Sequence, residues 1–286
     1  MEDMLTKQEG LNEEIIDEKI LNTDKQIIKD YFFKDTPQTS IKELANLFGQ
    51  SEGEMSKEFG TFKAKKLYKK LDYLILDNTL FYEEFIKKCA LALRYGFKGV
   101  TVLPSFVARA KSSLVDKNLE VRALIDYPLG ENLYKSRVYS VKLAIKNGAS
   151  AILVALPTSA IKNGEYKKTA KEFNRIFKIC KKRKVSVLID FSKLNVNEVK
   201  PFIEKIVKDK RLYSIIPYNG FNSIINFQAI KDVEDLVEGK CIVEGSGLVE
   251  SATEIVTAIN SGASEILSID CPFIAEDLDG KINTIN

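Results

Sequence analysis

Five carboxylates stand where short apolar runs of the chain end: Asp77, Asp126, Asp190, Glu244 and Asp270. Near them lie Tyr218, Asn219, Gly220, Ser246 and Gly247. Such a set can line a pocket for a small polar ligand, and a ring of carboxylates can move protons or hold Mg²⁺. The competing reading is that these side chains cap helix N-termini or face solvent. The chain contains no histidine and no tryptophan. That removes Ser-His-Asp and Cys-His nucleophile pairs, and it removes His-ligated zinc. No imidazole can change charge near pH ~6.5. Chemistry is left to Lys, carboxylates, Tyr, Cys or a cofactor. No residue pattern calls for a cofactor or a metal, and none is expected.

The elements that must position these residues follow from the texture of the chain. Its 286 residues are 45% hydrophobic and 29% charged, enough for a sizeable core. The 43 basic residues outnumber the 40 acidic ones by three, too little by itself to imply nucleic acid. Only seven of the basic residues are Arg, which reads as a coding bias toward Lys rather than a phosphate-binding design. Cys89, Cys180, Cys241 and Cys271 form no CxxC pair, so unpaired thiols in a reducing cytosol are expected. Met1 to Gly10 is polar and acidic and does not read as a signal peptide. No apolar run approaches the roughly 18 residues of a membrane span. A soluble, cytoplasmic protein is expected.

From residue 71 onward, eight apolar, β-branched runs alternate with helical stretches. The runs are Tyr73–Asp77, Gly99–Leu103, Val121–Asp126, Ala151–Ala155, Val185–Asp190, Tyr213–Pro217, Cys241–Glu244 and Glu265–Ile269. Eight such units predict an α/β fold, a parallel (β/α)8 TIM barrel over residues 71–286. No Gly-rich turn of the dinucleotide-binding kind follows the first run. The stretch Ala144 to Leu153 recurs as Ala258 to Leu267 with seven of ten positions identical. Each copy reads as a helix end, a Gly cap and a strand entering the barrel.

Several of these segments together resemble the deoxyribose-phosphate aldolase family. They are Leu76-Asp77-Asn78-Thr79-Leu80, Gly99-Val100-Thr101-Val102-Leu103-Pro104, Ile125-Asp126-Tyr127-Pro128-Leu129-Gly130, Asn147-Gly148-Ala149, Val187-Leu188-Ile189-Asp190 and Asn219-Gly220-Phe221. The resemblance implies a TIM barrel, a dimer, and a class I lyase that forms a Schiff base with 2-deoxyribose 5-phosphate. The residues for that reaction depart from the family's pattern. Leu153 stands where the family has a proton-transfer Asp, and Ile216 where it has the Schiff-base Lys. Its second, pKa-tuning Lys becomes Val243, or Glu244 if the register is one residue off, and Ser186 stands at the strand-five Lys. The family's Gly-Gly pair is Ser246-Gly247, and Asp270 would put a negative charge beside a substrate phosphate. A Schiff base needs an amine that is deprotonated near neutral pH. No run has a Lys at its C-terminal end, where TIM-barrel sites lie.

Residues 1–70 carry 12 basic and 14 acidic residues and read as a separate helical domain. Within them, Ser40 to Glu52 resembles the helix-turn-helix of bacterial sugar-metabolism repressors, with Ala45 at a helix crossing, Gly49 in the turn and Ser51 as a cap. Glu52, Glu54 and Glu58 outnumber Lys57 on the would-be recognition helix, which argues against DNA. Lys57, Lys63, Lys65 and Lys66 are the candidates for any DNA contact.

The expectation is a catalytically inactive aldolase-like barrel that senses a ligand or serves as a scaffold. Its pocket, lined by Asp77, Asp126, Tyr218, Asn219, Gly220, Ser246, Gly247 and Asp270, would suit a small neutral or cationic ligand. An unidentified protein partner is the other expected contact. Two alternatives stand beside it: a transcriptional regulator whose barrel binds an effector, and a lyase using the rim carboxylates.

Overall fold

A computed structural model of the chain describes residues 64–114 and 119–283. Eight strands form a closed barrel with every neighbouring pair parallel, in chain order from β1 to β8 and back to β1. They are β1 (Leu71–Ile75), β2 (Gly99–Val102), β3 (Glu120–Ile125), β4 (Ala151–Ala155), β5 (Lys184–Asp190), β6 (Leu212–Tyr218), β7 (Ile242–Ser246) and β8 (Ala263–Ser268). The helices outside them are α1 (Tyr82–Tyr95), α2 (Val107–Ser113), α3 (Tyr134–Lys146), α4 (Thr158–Lys162), α5 (Tyr166–Cys180), α6 (Val196–Ile206), α7 (Phe227–Val237), α8 (Ala252–Asn260) and α9 (Cys271–Asn283).

Parallel strands covered by helices are buried on both faces, so they read as continuous apolar runs rather than alternating ones. Side chains still alternate inward and outward. Outward-facing Val100, Val121, Ile152, Val187 and Ile215 pack against the helices in the larger core. Inward-facing Leu74, Leu124, Leu153, Leu188, Ile216 and Leu267 form a second, smaller core inside the barrel. Helix ends carry local signals. Asn195 accepts from the Glu198 amide and Glu198 accepts from the Asn195 amide, a capping box that starts α6. The internal repeat lies at equivalent places: Gly148 (φ 103°) and Gly262 (φ 111°) end α3 and α8 in the left-handed region just before β4 and β8.

Strand ends differ from the runs by up to two residues except at β4, and two boundaries matter most for the interior and for the N-terminal segment. β1 begins two residues earlier than its apolar run, because Leu71 and Asp72 pair with Ile266 and Leu267 of β8. Inside the barrel Thr101 donates to one Asp72 oxygen and the Arg122 guanidinium lies 3.1 Å from the other. Residues 64–68 are helical, and Ala64, Leu67 and Tyr68 are buried in the outer core. Tyr68 donates from its hydroxyl toward Asp279 and the Ala275 carbonyl, both in α9. The boundary drawn at residue 70 thus falls after the first residues that pack on the barrel. The helix-turn-helix stretch, Lys57 and Lys63 lie outside the described residues, while Lys65 and Lys66 are exposed on the helical segment that leads into β1.

Candidate functional site

The barrel interior changes character with depth. Its middle level is charged: the Arg122 guanidinium of β3 lies 2.8 Å from Glu244 of β7 and 3.1 Å from Asp72 of β1. All three side chains are fully buried. Thr101 donates to Asp72 at 2.9 Å, Ser214 donates to Glu244, and Ser186 lies 3.3 Å from the same Glu244 oxygen. Lower still, toward the N-terminal rim, Lys98 bridges Glu265 at 2.5 Å and Glu120 at 3.6 Å. Burial pushes the Asp72 carboxyl up to about 6, against the pull of Arg122 and Lys98. Burial also pushes Glu244 up, but Arg122, Lys98 and the Ser214 hydroxyl overcome it and hold that carboxyl below its ordinary value. Glu244 is therefore not a rim carboxylate, as its place at the end of an apolar run predicted. The strand-seven side chain inside the barrel is Glu244, whereas Val243 faces outward into the larger core. A shift in β7–β8 pairing between Val243 and Glu244 accompanies this register.

Above the charged level the interior is aliphatic. Leu153 and Ile216 are fully buried and pack with Leu74, Leu124, Leu188 and Leu267. At the two positions where the resemblance places an acid and an amine, neither group is present, and each side chain is ringed by hydrocarbon. Tyr218 closes this level from above. Its ring lies 5.1 Å from that of Phe221 and 6.5 Å from that of Tyr127, and Phe221 lies 5.1 Å from Tyr127. The Tyr218 hydroxyl reaches the Pro128 carbonyl at 3.3 Å. Burial raises the Tyr218 phenol far above its ordinary value, so it stays protonated.

The remaining rim carboxylates are engaged one by one. Asp77 accepts from the Thr79 amide and hydroxyl, which lowers its carboxyl. Asp190 accepts from Ser192 and pairs with Lys193 at 3.2 Å. Asp270 accepts from the Val249 amide at 3.1 Å. Asp126 has a left-handed backbone (φ 66°), binds Asn132, and pairs with Arg137 Nε at 2.8 Å. It belongs to the turn between β3 and α3 and does not line the pocket. No group of three or more metal-binding side chains occurs among the described residues.

A cavity of about 440 Å³ opens at the barrel top, lined in part by Leu76, Asp77, Lys88, Tyr127, Asn222 and Asp270. Of the predicted lining residues it keeps only Asp77 and Asp270. Tyr218, Asn219, Gly220, Ser246 and Gly247 are not part of its wall. The reason is a segment of the chain itself. A Cβ on Gly247 would meet the Ser223 carbonyl at 2.6 Å and the Ile225 amide at 2.8 Å, so residues 223–225 lie directly on that glycine. Leu248 donates to Ser223 and fixes the contact. Asn219 instead accepts from Asn226, and Ser246 is buried with no partner for its hydroxyl among the described residues.

The cation in the cavity wall is Lys88, which donates to the Tyr73 hydroxyl at 3.2 Å. Inspection of strand ends passes over it, because it comes from α1. Its spacing from Phe85 and Cys89, which face the core, was the available signal: position 88 lies beside that face. With Asp77 and Asp270 the described lining carries two carboxylates and one ammonium.

Comparison with known proteins places these departures in context. Residues 58–204 match the model of a family described as DeoC/LacD family aldolase. A deoxyribose-phosphate aldolase of Metamycoplasma arthritidis is 25% identical over 217 residues, covering 76% of this chain and 100% of that one. Its counterpart in Clostridium kluyveri is 28% identical over 204 residues, covering 71% and 93%. A solved structure described as QR15, an aldolase, superposes with a TM-score of 0.71 at 22% identity and covers 77% of this chain and 99% of that chain. No helix among the described residues is long and apolar enough to cross a membrane.

Proposed function

Because the chain belongs to the DeoC/LacD family of aldolases, we propose that it is a member that has given up Schiff-base chemistry and uses its barrel to bind a small ligand or a partner. The observation that carries this reading is the aliphatic level of the barrel. Ile216 and Leu153 are fully buried among leucines, where an aldolase needs an amine and an acid. A sugar carbonyl entering that level would find no nucleophile and no proton donor. Tyr218, Tyr127 and Phe221 pack over part of it as tilted rings and narrow the way in.

The cavity beside the aromatic cluster, whose wall includes Tyr127 and Phe221 and reaches down to Leu74, is the candidate binding site. Two carboxylates against one ammonium favour a neutral or cationic polar ligand over a phosphate ester. The relatives carry the name deoxyribose-phosphate aldolase, so the direct test uses that substrate. Acetaldehyde release from 2-deoxyribose 5-phosphate, followed with a coupled dehydrogenase, should stay at the buffer background. Sustained release proportional to protein concentration would refute the proposal.

One observation favours a second reading. Lys88 brings an amine to the cavity wall, so a lyase with a relocated nucleophile is the rival. It predicts release that disappears in Lys88→Met.

A further inference from the structure

The net charge of +3 conceals a strong local imbalance. Residues 167–184 contain nine basic side chains, Lys167, Lys168, Lys171, Arg175, Lys178, Lys181, Lys182, Arg183 and Lys184, against Glu172 alone. That segment carries +8, so the rest of the chain carries −5. Most of it is helix α5, whose apolar face (Ala170, Phe173, Ile176, Phe177 and Cys180) is buried against the barrel. The cations are thereby turned outward.

They do not merely dot a convex surface. A groove of about 520 Å³ between α5 and α6 is lined by Lys167, Lys171, Arg175, Lys178 and Lys205, with Ala170 and Asn174, and by no carboxylate of the described residues. No ion pair joins any of these five cations to a carboxylate of the described residues. A second groove, of about 240 Å³, is lined by Lys181, Lys182, Arg183, Lys184, Lys210 and Arg211. Lys178 and Lys181 join the two along the sequence. On α5 the positions 167, 171, 175 and 178 share one helical face, with successive charges about 5–6 Å apart along the axis.

We propose that this α5–α6 face binds the phosphate backbone of a nucleic acid strand, without reading its sequence. Strand binding without sequence readout combines a positive groove with aromatic side chains for the bases; here the two grooves supply the charge, and Tyr213 lines the second. The alternatives fit less well. Lysine is depleted from protein–protein interfaces, whose centres are apolar or aromatic. A membrane surface would call for apolar side chains beside the charges. No exposed large hydrophobic side chain lies on α5 or α6. The surface is distinct from Lys65 and Lys66 and from the cavity at the barrel top.

The test titrates the full chain into fluorescein-labelled twenty-nucleotide poly-dT and poly-U and reads anisotropy from 50 to 200 mM KCl. With five phosphate contacts and a slope of about −0.7 per contact, affinity should fall roughly a hundredfold over that range. K171E/R175E/K178E should weaken binding at 50 mM KCl by at least tenfold, with an unchanged melting temperature. The control K87E/K142E/K231E makes the same charge change at exposed sites elsewhere and should bind within threefold of the parent. Equal loss in both triple variants would overturn the proposal, since binding would then follow net charge alone. So would an absence of binding at 50 mM KCl, or binding abolished by K63E/K65E/K66E and untouched by the α5 changes.

Discussion

Two levels of one barrel interior, one inward-facing residue apart along each strand, have opposite chemistry. Arg122, Asp72 and Glu244 form a charged level with three hydroxyls around it. Leu74, Leu124, Leu153, Leu188, Ile216 and Leu267 form an aliphatic level immediately above. The charged level lies in the deeper half of the barrel, where side chains usually serve stability rather than reaction. The aliphatic level lies nearer the C-terminal mouth, where an aldolase of this family would place its reacting groups. Of the positions the resemblance assigns to the reaction, Leu153 and Ile216 are hydrocarbon, and Glu244 is tied to Arg122 in the charged level. The difference teaches that one barrel interior can keep a buried ionic level while the level above it, where Leu153 and Ile216 stand, is wholly aliphatic.

The comparison breaks most sharply at Arg122. Arg122→Met leaves two buried carboxylates without their shared cation, and should cost about 3–5 kcal/mol in urea unfolding. If the cost were under about 1 kcal/mol, the charged level would contribute little to the barrel. A somewhat smaller effect belongs to the upper level. Leu153→Ala removes three heavy atoms from a fully buried site and should cost about 3 kcal/mol. A markedly smaller loss would mean that the upper level is loosely packed and open to solvent, as an active site is.

Protonation separates the levels further. Asp72 is raised to about 6 in the folded chain, above its ordinary value of 3.8. The unfolded chain therefore ionises first as pH rises, and this carboxyl's contribution to stability is present below pH ~4 and lost by pH ~6. Asp72→Asn should remove a decline on the order of 2 kcal/mol across that window. Glu244 has the opposite sign. Its lowered value contributes stability that is present above its unfolded value and lost as pH falls below it. Denaturant melts of the Asp72→Asn variant and the parent protein between about pH 4 and pH 7 check this, and an identical slope in the two would remove Asp72 as its source. The smallest effect is at the rim: Asp77→Asn, at an exposed carboxylate held by Thr79, should change the melting temperature by no more than about 2 °C.

Much of the barrel was legible because helix and strand periods are local. All eight runs became strands, and the repeat around Gly148 and Gly262 marked two equivalent helix ends. What the runs could not show was direction and depth. Val243 and Glu244 differ by one position, and a pairing shift decides which of them points inward. Asp72 stands just before the run that begins at Tyr73, yet Arg122, far along the chain, pairs with it inside the barrel. The cavity wall was misread for a tertiary reason, since residues 223–225 fold over Gly247. The charge cluster on α5 was present in the sequence, but it vanished in a sum taken over the whole chain.

The central claim is that no lysine at the barrel top forms a specific, stoichiometric imine with the substrate named by the relatives. Sodium borohydride reduction of the intact protein with 2-deoxyribose 5-phosphate or acetaldehyde, read by whole-protein mass spectrometry, tests it most directly. The account predicts no stoichiometric adduct at borohydride and aldehyde concentrations that fully label an active deoxyribose-phosphate aldolase, and only the scattered low-level labelling of exposed lysines that an unrelated protein shows. A single stoichiometric adduct, mapped by peptide analysis to one lysine such as Lys88, would contradict it.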